Sequence, residues 1–198
     1  MPTVVHCVDS STAKAERERS YDAHMAHLRT VMRRICFAGP LATTDDARVK
    51  GDENLVGSLF VIDEPPTVAF ELIRRDPYVT SGVWGRLSVF QTVNEFGPWC
   101  TGVPRSPTGR LYAALASFPA SPVAFGEAVL FGAELQIRHS HGPPDAAQWN
   151  AVGIFSANSL EEARAMLEKY ADDRWSKIES WALPIAVGNW TVPNPAIL

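Results

Sequence analysis

Apolar and polar positions change their period several times along this chain. Residues 3–8, TVVHCV, are rich in β-branched side chains and predict a strand. Over residues 14–34 the period lengthens. Tyr21, Met25, Leu28, Met32 and Ile35 recur at the spacing of one helix face, and Ser10, Ser11 or Thr12 stands ready to cap its start. ICFAGPL predicts a second strand, ended by Gly39-Pro40. TTDDARVKGDE is a polar hairpin loop, and NLVGSLFVID is a third strand. Pro65-Pro66 opens a second helix, where proline is tolerated because the first helical amide has no partner. Asp76-Pro77 ends it, since the residue before proline is driven out of helical geometry. GVWGRLSVFQTV closes the series as a fourth strand. The order βαββαβ is the split unit of ferredoxin-like folds, an antiparallel four-stranded sheet with both helices on one face.

GPWCTGVPRSPTG, residues 97–109, is dense in proline and glycine and predicts a linker. Beyond it the pattern recurs. RLYAALASF is a strand, SPVAFGEAV a short helix, ELQIRHS a strand, GPPDAA a turn and WNAVGIFSA a strand. NSLEEARAMLEKYA is a helix capped by Asn158 or Ser159, with Glu161 and Glu162 complementing the dipole of its first turn, and WALPIAV is the last strand. Asp76 precedes Trp84 at the same spacing at which Asp173 precedes Trp181, and Val56-Gly57 is echoed by Val152-Gly153. The predicted organisation is a first domain at 1–96, a linker at 97–109 and a degenerate repeat at 110–198. The fold class is α+β, two tandem ferredoxin-like units facing each other as a barrel-like pseudo-dimer. Each sheet covers one face with helices and must bury the other. Leu55, Leu59 and Val61 are expected on that other face.

Composition narrows the function. Of 198 residues, 46% are apolar and 20% charged, as in ordinary globular domains, and the net charge is −4. There is no basic stripe, and Arg29, Arg33 and Arg34 read as the solvated side of a helix, so nucleic acid is not an expected partner. No apolar run approaches a bilayer span, and the N-terminal stretch lacks the pattern of a signal peptide, so no membrane partner and a cytoplasmic location are expected. Cys7, Cys36 and Cys100 are too few and too scattered for a disulfide framework or a zinc cluster.

Candidate chemistry centres on His24. It falls inside the apolar stripe of the first helix, while His27 falls at its edge, half in solvent. A buried imidazole needs partners, so His24 is either a satisfied core residue or a working group. Asp9, at the end of the first strand, and Asp76, at the end of the second helix, can each approach it. Such an acid would fix the ring's tautomer and raise its basicity. Each aspartate reads equally well as a local turn or cap residue. Ser58 lies mid-strand on an apolar face with Val56 and Phe60 and either bonds a neighbour or meets a ligand. His139 with His141, and His24 with His27, are close pairs but too few for a zinc site, so no metal is expected. Six tryptophans read as packing residues or as the wall of a pocket. No phosphate loop, nucleophile elbow or dinucleotide fingerprint is present, so no nucleotide cofactor is expected.

The ordered motifs AHMAHL, FAGPL, GSLFVID and RRDPYV over residues 3–93 resemble the YCII-related family. The resemblance implies a dimeric α+β barrel and a site built on a His–Asp pair, with His24 as the histidine and Asp76 or Asp9 as the acid. It also implies Ser58 and Tyr78 as pocket residues. His27 departs from the family's usual tyrosine and is carried as a substrate-side position. The expected function is a small cofactor-independent enzyme that moves a proton on a cyclic or aromatic-derived small molecule, by elimination (dehydrochlorination included) or isomerisation. A non-catalytic ligand-binding or interaction module, or a cofactor-free oxygenase of the same barrel fold, is the alternative. A small-molecule substrate and a homodimer are the partners implied.

Overall fold

A computed structural model of the chain describes residues 2–93, 110–118, 132–137, 149–170 and 177–188. Strands β1 (Thr3–Asp9), β2 (Ile35–Ala42), β3 (Leu55–Ile62) and β4 (Trp84–Val93) belong to the first half, with helices α1 (Ala13–Val31), α2 (Pro66–Arg74) and α3 (Pro77–Thr80). Strands β5 (Leu111–Phe118), β6 (Gly132–Ile137), β7 (Trp149–Ser156) and β8 (Lys177–Leu183), with helix α4 (Leu160–Tyr170), form the second. All eight strands close one antiparallel barrel in the order β1-β3-β2-β8-β5-β7-β6-β4. Within it each half has the same arrangement: its fourth strand lies beside its first, then come the third and the second. Two seams join the halves. At one, β4 pairs with β6 from Phe90↔Ile137 to Val93↔Glu134. At the other, β2 meets β8 through Ala42↔Ala182, and Ala38 and Val187 exchange backbone hydrogen bonds of 2.7 and 2.8 Å just beyond. The sheet pairing expected of two facing units is therefore completed inside one polypeptide, and a homodimer would have to use another surface.

Three apolar clusters follow from this closure. The barrel interior draws on both halves and holds Val4, Phe37, Leu59, Val61, Phe90, Ile154 and Trp181. Outside the wall, the first half buries Val5, Phe60, Ile73, Tyr78 and Trp84 beneath its helices. The second half buries Tyr112, Phe155, Leu160 and Leu167 beneath α4.

Several expectations are corrected in detail. β2 runs through Gly39-Pro40 to Ala42 instead of stopping there. Ala38 donates outward to Val187, and by the two-residue alternation Pro40 turns its nitrogen the same way, where the ladder needs no donor. Val56 does not share a face with Ser58. The register slips opposite Leu41 and Ala42, Val56 packs on the barrel interior, and Leu55 turns out to the α4 cluster while Leu59 and Val61 point inward. The first helix tightens into a 3-10 turn at Met32–Arg34, and Thr12, its N-cap, makes no side-chain cap bond. At α4 the cap is Ser159, whose Oγ accepts from Glu162 N at 3.1 Å. Trp84 packs outside the barrel and Trp181 inside, so the Asp–Trp echo does not fall on equivalent positions. The linker at 97–109, the short helix of SPVAFGEAV, the GPPDAA turn, His139, His141, Cys100, Asp173, Trp99, Trp175 and Trp190 lie outside the described residues. Among the described residues no helix is long and apolar enough to cross a membrane.

Candidate active site

The inward stripe of α1 begins earlier than Tyr21. Continued toward the N-terminus it takes in Arg17, and Arg17, His24 and Leu28 are all buried. Arg17 is held in a fork: Nε donates to Asp9 Oδ2 and Nη2 to Asp9 Oδ1, both at 2.7 Å. Nη2 also donates to the Gly57 carbonyl at 2.9 Å and lies 3.4 Å from Ser58 Oγ. Asp9 therefore meets Arg17, not His24, and it lies off the cavity described below. A buried guanidinium requires such a counter-charge, and the planar fork matches a carboxylate.

His24 is paired with Asp76. Nδ1 lies 2.8 and 2.9 Å from the two carboxylate oxygens, and Asp76 is fully buried. The Asp-Pro junction explains how the acid arrives. Asp76 is extended at φ −66°, ψ 136°, which ends the turn after α2 and folds its carboxylate over the start of α3, where it accepts from Tyr78 N at 2.8 Å. The helix-cap reading and the partner reading of Asp76 are both realised by one side chain. Since a carboxylate accepts only, Nδ1 carries the proton, and in the neutral ring the lone pair sits on Nε2.

Aromatic packing fixes the ring plane. Tyr78 stacks on His24 at 3.9 Å between centroids and 7° between planes, and Trp84 meets the pair edge-on, 5.7 Å from His24. The Tyr78 hydroxyl donates to the Arg17 carbonyl at 3.4 Å, and burial pushes its pKa up to about 12. Burial, followed by the charge of Asp76, raises the Cys7 thiol well above its ordinary range. Neither group can act as a base at neutral pH.

A cavity of about 420 Å³ opens on this cluster. Arg17, His24, Ser58 and Tyr78 of the first half line it, with Ile185 and Val187 of the second half on its wall. His27 is not on it. Its Nε2 lies 3.1 Å from the Leu72 carbonyl, because its place at the edge of the stripe turns the ring toward α2. The structure thus brings His24, Asp76, Tyr78 and Ser58 together and sets Asp9 and His27 to other tasks. Arg17 was not among the sequence candidates. Its signal was a charged residue on the apolar stripe, two helical turns before His24. Among the described residues no three His, Cys, Asp or Glu side chains converge as a metal site requires.

Fold and site together define a dimeric α+β barrel closed within one chain, with a His–carboxylate pair beside a cavity. Residues 1–93 match the YCII-related domain, and the first half of the chain is a domain of that family. No curated protein matches. Two solved structures of monooxygenase-like proteins extend over both halves and share the fold. One, from Lactobacillus acidophilus, has 8% identity and a TM-score of 0.50, covering 95% of each chain. The other, from Fusobacterium nucleatum, has 7% identity and a TM-score of 0.54, covering 94% of this chain and 93% of its own. The 5-chloro-2-hydroxyhydroquinone dehydrochlorinase of Burkholderia phenoliruptrix, solved with 2,5-dihydroxybenzoquinone, is 22% identical. It covers 46% of this chain and 92% of its own, with a TM-score of 0.40.

Proposed function

We propose that the chain is an enzyme that moves a proton on a small, neutral, cyclic or aromatic-derived molecule, with His24 as the acid–base group. The observation that carries this reading is the division of labour on the imidazole. Asp76 takes Nδ1, so the nitrogen left for a ligand is Nε2, on a residue of the cavity wall. When Nε2 accepts a proton, the Asp76 carboxylate is already in place beside the imidazolium that forms. The stack against Tyr78 fixes the ring, and Ser58 offers a hydroxyl to the ligand. Elimination and isomerisation both begin with such a transfer, so the reading covers both.

The test is solvent-deuterium exchange into a panel of cyclic enolisable ketones, followed by mass spectrometry. The wild-type protein should accelerate exchange on at least one member. His24→Asn should lose about 10²-fold or more of that acceleration with little change in melting temperature. A wild-type protein inert across the panel, or a destabilised His24→Asn protein with full activity, would remove the reading and favour a structural histidine.

A further inference from the structure

Three of the four hydrogen bonds around Arg17 are short and charge-assisted or buried, but all four fall on Nε and Nη2. None of these bonds falls on Nη1, and the Tyr78 hydroxyl is a further neighbour of the guanidinium. Nη1 is not among the described side-chain atoms that are both buried and without a partner, which are Ser81 Oγ and Trp84 Nε1. The Arg17 side chain as a whole is only 2% exposed, and it lines the cavity. The fork to Asp9 and the bonds to Gly57 and Ser58 use the Nε and Nη2 donors of a residue that lines the cavity, so the donors left for a ligand there are those of Nη1. The Tyr78 ring borders both groups, with Arg17 Cζ 5.2 Å from its centroid and the His24 ring stacked at 3.9 Å.

Charge decides what a ligand in this cavity carries. Arg17 and Asp9 neutralise each other, and with His24 neutral the Asp76 carboxylate is the uncompensated charge in the buried cluster. A ligand arriving as a full anion would face it, and a neutral carbonyl compound would not. Transfer of a proton from carbon to Nε2 then creates two charges. The imidazolium pairs with Asp76, and the electron pair of the broken C–H bond moves through the ligand onto its carbonyl oxygen.

We propose that Arg17 is a catalytic residue of this site, donating from Nη1 to the oxyanion that develops, and that the substrate class is a neutral, enolisable carbonyl compound of one ring. The inference rests on the proton-transfer reading of His24. Asp9 is then a positioning residue that locks the guanidinium plane.

The probe is p-nitrophenol, whose charge on ionisation spreads from the phenol oxygen to the nitro group across one ring. Its absorbance distinguishes phenol from phenolate when bound, at a pH where most of the free probe is protonated. The wild-type protein should bind it and raise the phenolate fraction, the O–H proton passing to Nε2. Arg17→Lys keeps the charge opposite Asp9 but lacks the Nη1 donors, and the double variant Asp9→Asn/Arg17→Gln replaces the ion pair by a neutral one. Melting curves identify which of the two is folded. Either folded variant should bind at least tenfold more weakly with a reduced phenolate fraction. Wild-type affinity and spectrum in a folded Arg17 variant would overturn the assignment, as would failure of the wild-type protein to bind the probe. His24→Asn separates the two readings. If it ionises the bound phenol as the wild type does while the Arg17 variants do not, Arg17 stands and the His24 base falls. If only His24→Asn fails to ionise it, the reverse holds.

Discussion

The two halves of the barrel share a strand order but treat the space outside the wall differently. The first half buries Arg17, His24, Ser58 and Asp76 between its helices and its sheet. Among the described residues the second half packs Ala114, Phe155, Leu160, Ala163 and Leu167 there, with a part-buried polar contact in which the Tyr112 hydroxyl donates to Asp45 at 2.7 Å. That aspartate comes from the loop between β2 and β3 and also accepts from Leu160 N at 3.0 Å, capping α4 from the other half. Buried charge is costly without a partner, so a pair, a fork and a stacked imidazole beside a cavity are the features on which the proposed chemistry is assigned to the first half. The second half contributes to that site as a wall. Its chain beyond β8 lies over β2 so closely that a Cβ on Gly39 would come 2.6 Å from the Ile185 carbonyl. Gly188, at φ 121°, brings the same segment against Cys36.

The comparison breaks most severely at Asp76. Asp76→Ala removes the partner of His24 and the cap of α3 together, and should cost about 3–5 kcal/mol in denaturant unfolding. Exchange activity should fall with it. A loss below about 1 kcal/mol would mean the carboxylate is not the buried ion described.

A smaller effect is read from alkaline pH. The Tyr78 phenol is raised to about 12 in the folded chain against about 10 unfolded, so above pH 10 the unfolded state loses the proton first. Its contribution, about 2–3 kcal/mol, is fully present below pH 10 and lost as pH rises toward 12. Tyr112 is raised further, first by burial and then by its bond to Asp45, so its contribution is lost over a range that extends higher. Tyr78→Phe should flatten the lower part of the alkaline decline and Tyr112→Phe the upper part, as followed by urea unfolding across this range. Identical profiles for the two variants would erase the distinction between the halves.

Gly39→Ala tests the wall. The added methyl meets a backbone carbonyl and should cost about 1–3 kcal/mol and weaken p-nitrophenol binding, although no first-half polar residue is altered. Unchanged binding would show that the second half does not shape the cavity. The smallest effect is expected at Ser159→Ala, the loss of one helix cap in the second half. About 1 kcal/mol of stability should go, with probe binding and exchange untouched.

Much of this contrast was legible in the chain. The α1 stripe placed His24 inward and His27 at its edge, because a helix repeats its faces regardless of tertiary context. The βαββαβ order was readable from changes of period, Pro65-Pro66 marked where α2 begins and Asp76-Pro77 where it has ended, while the short α3 that starts at Pro77 was not anticipated. What escaped depended on pairing between segments distant in sequence. Nothing local distinguishes Asp9 from Asp76 as the partner of His24. The choice follows from Arg17, whose fork takes Asp9. Leu55 and Val56 were misassigned because a bulge in the β2–β3 pairing reverses faces, which alternation within one strand cannot show. Gly39-Pro40 reads locally as a strand end, yet β2 continues through it because its neighbour on the far side is the tail of the other half.

The central claim is that Asp76 holds the His24 proton on Nδ1 and leaves Nε2 bare for a ligand. Two-bond ¹⁵N–¹H correlation spectra of ¹⁵N-histidine-labelled protein, assigned with His24→Asn, report this directly under conditions where the ring is neutral. The account predicts a protonated Nδ1 and an unprotonated Nε2 for His24 in the wild-type protein. It also predicts loss of that fixed tautomer in Asp76→Asn, whose amide can donate to Nδ1. A neutral His24 with its proton on Nε2 in the wild-type protein would contradict it.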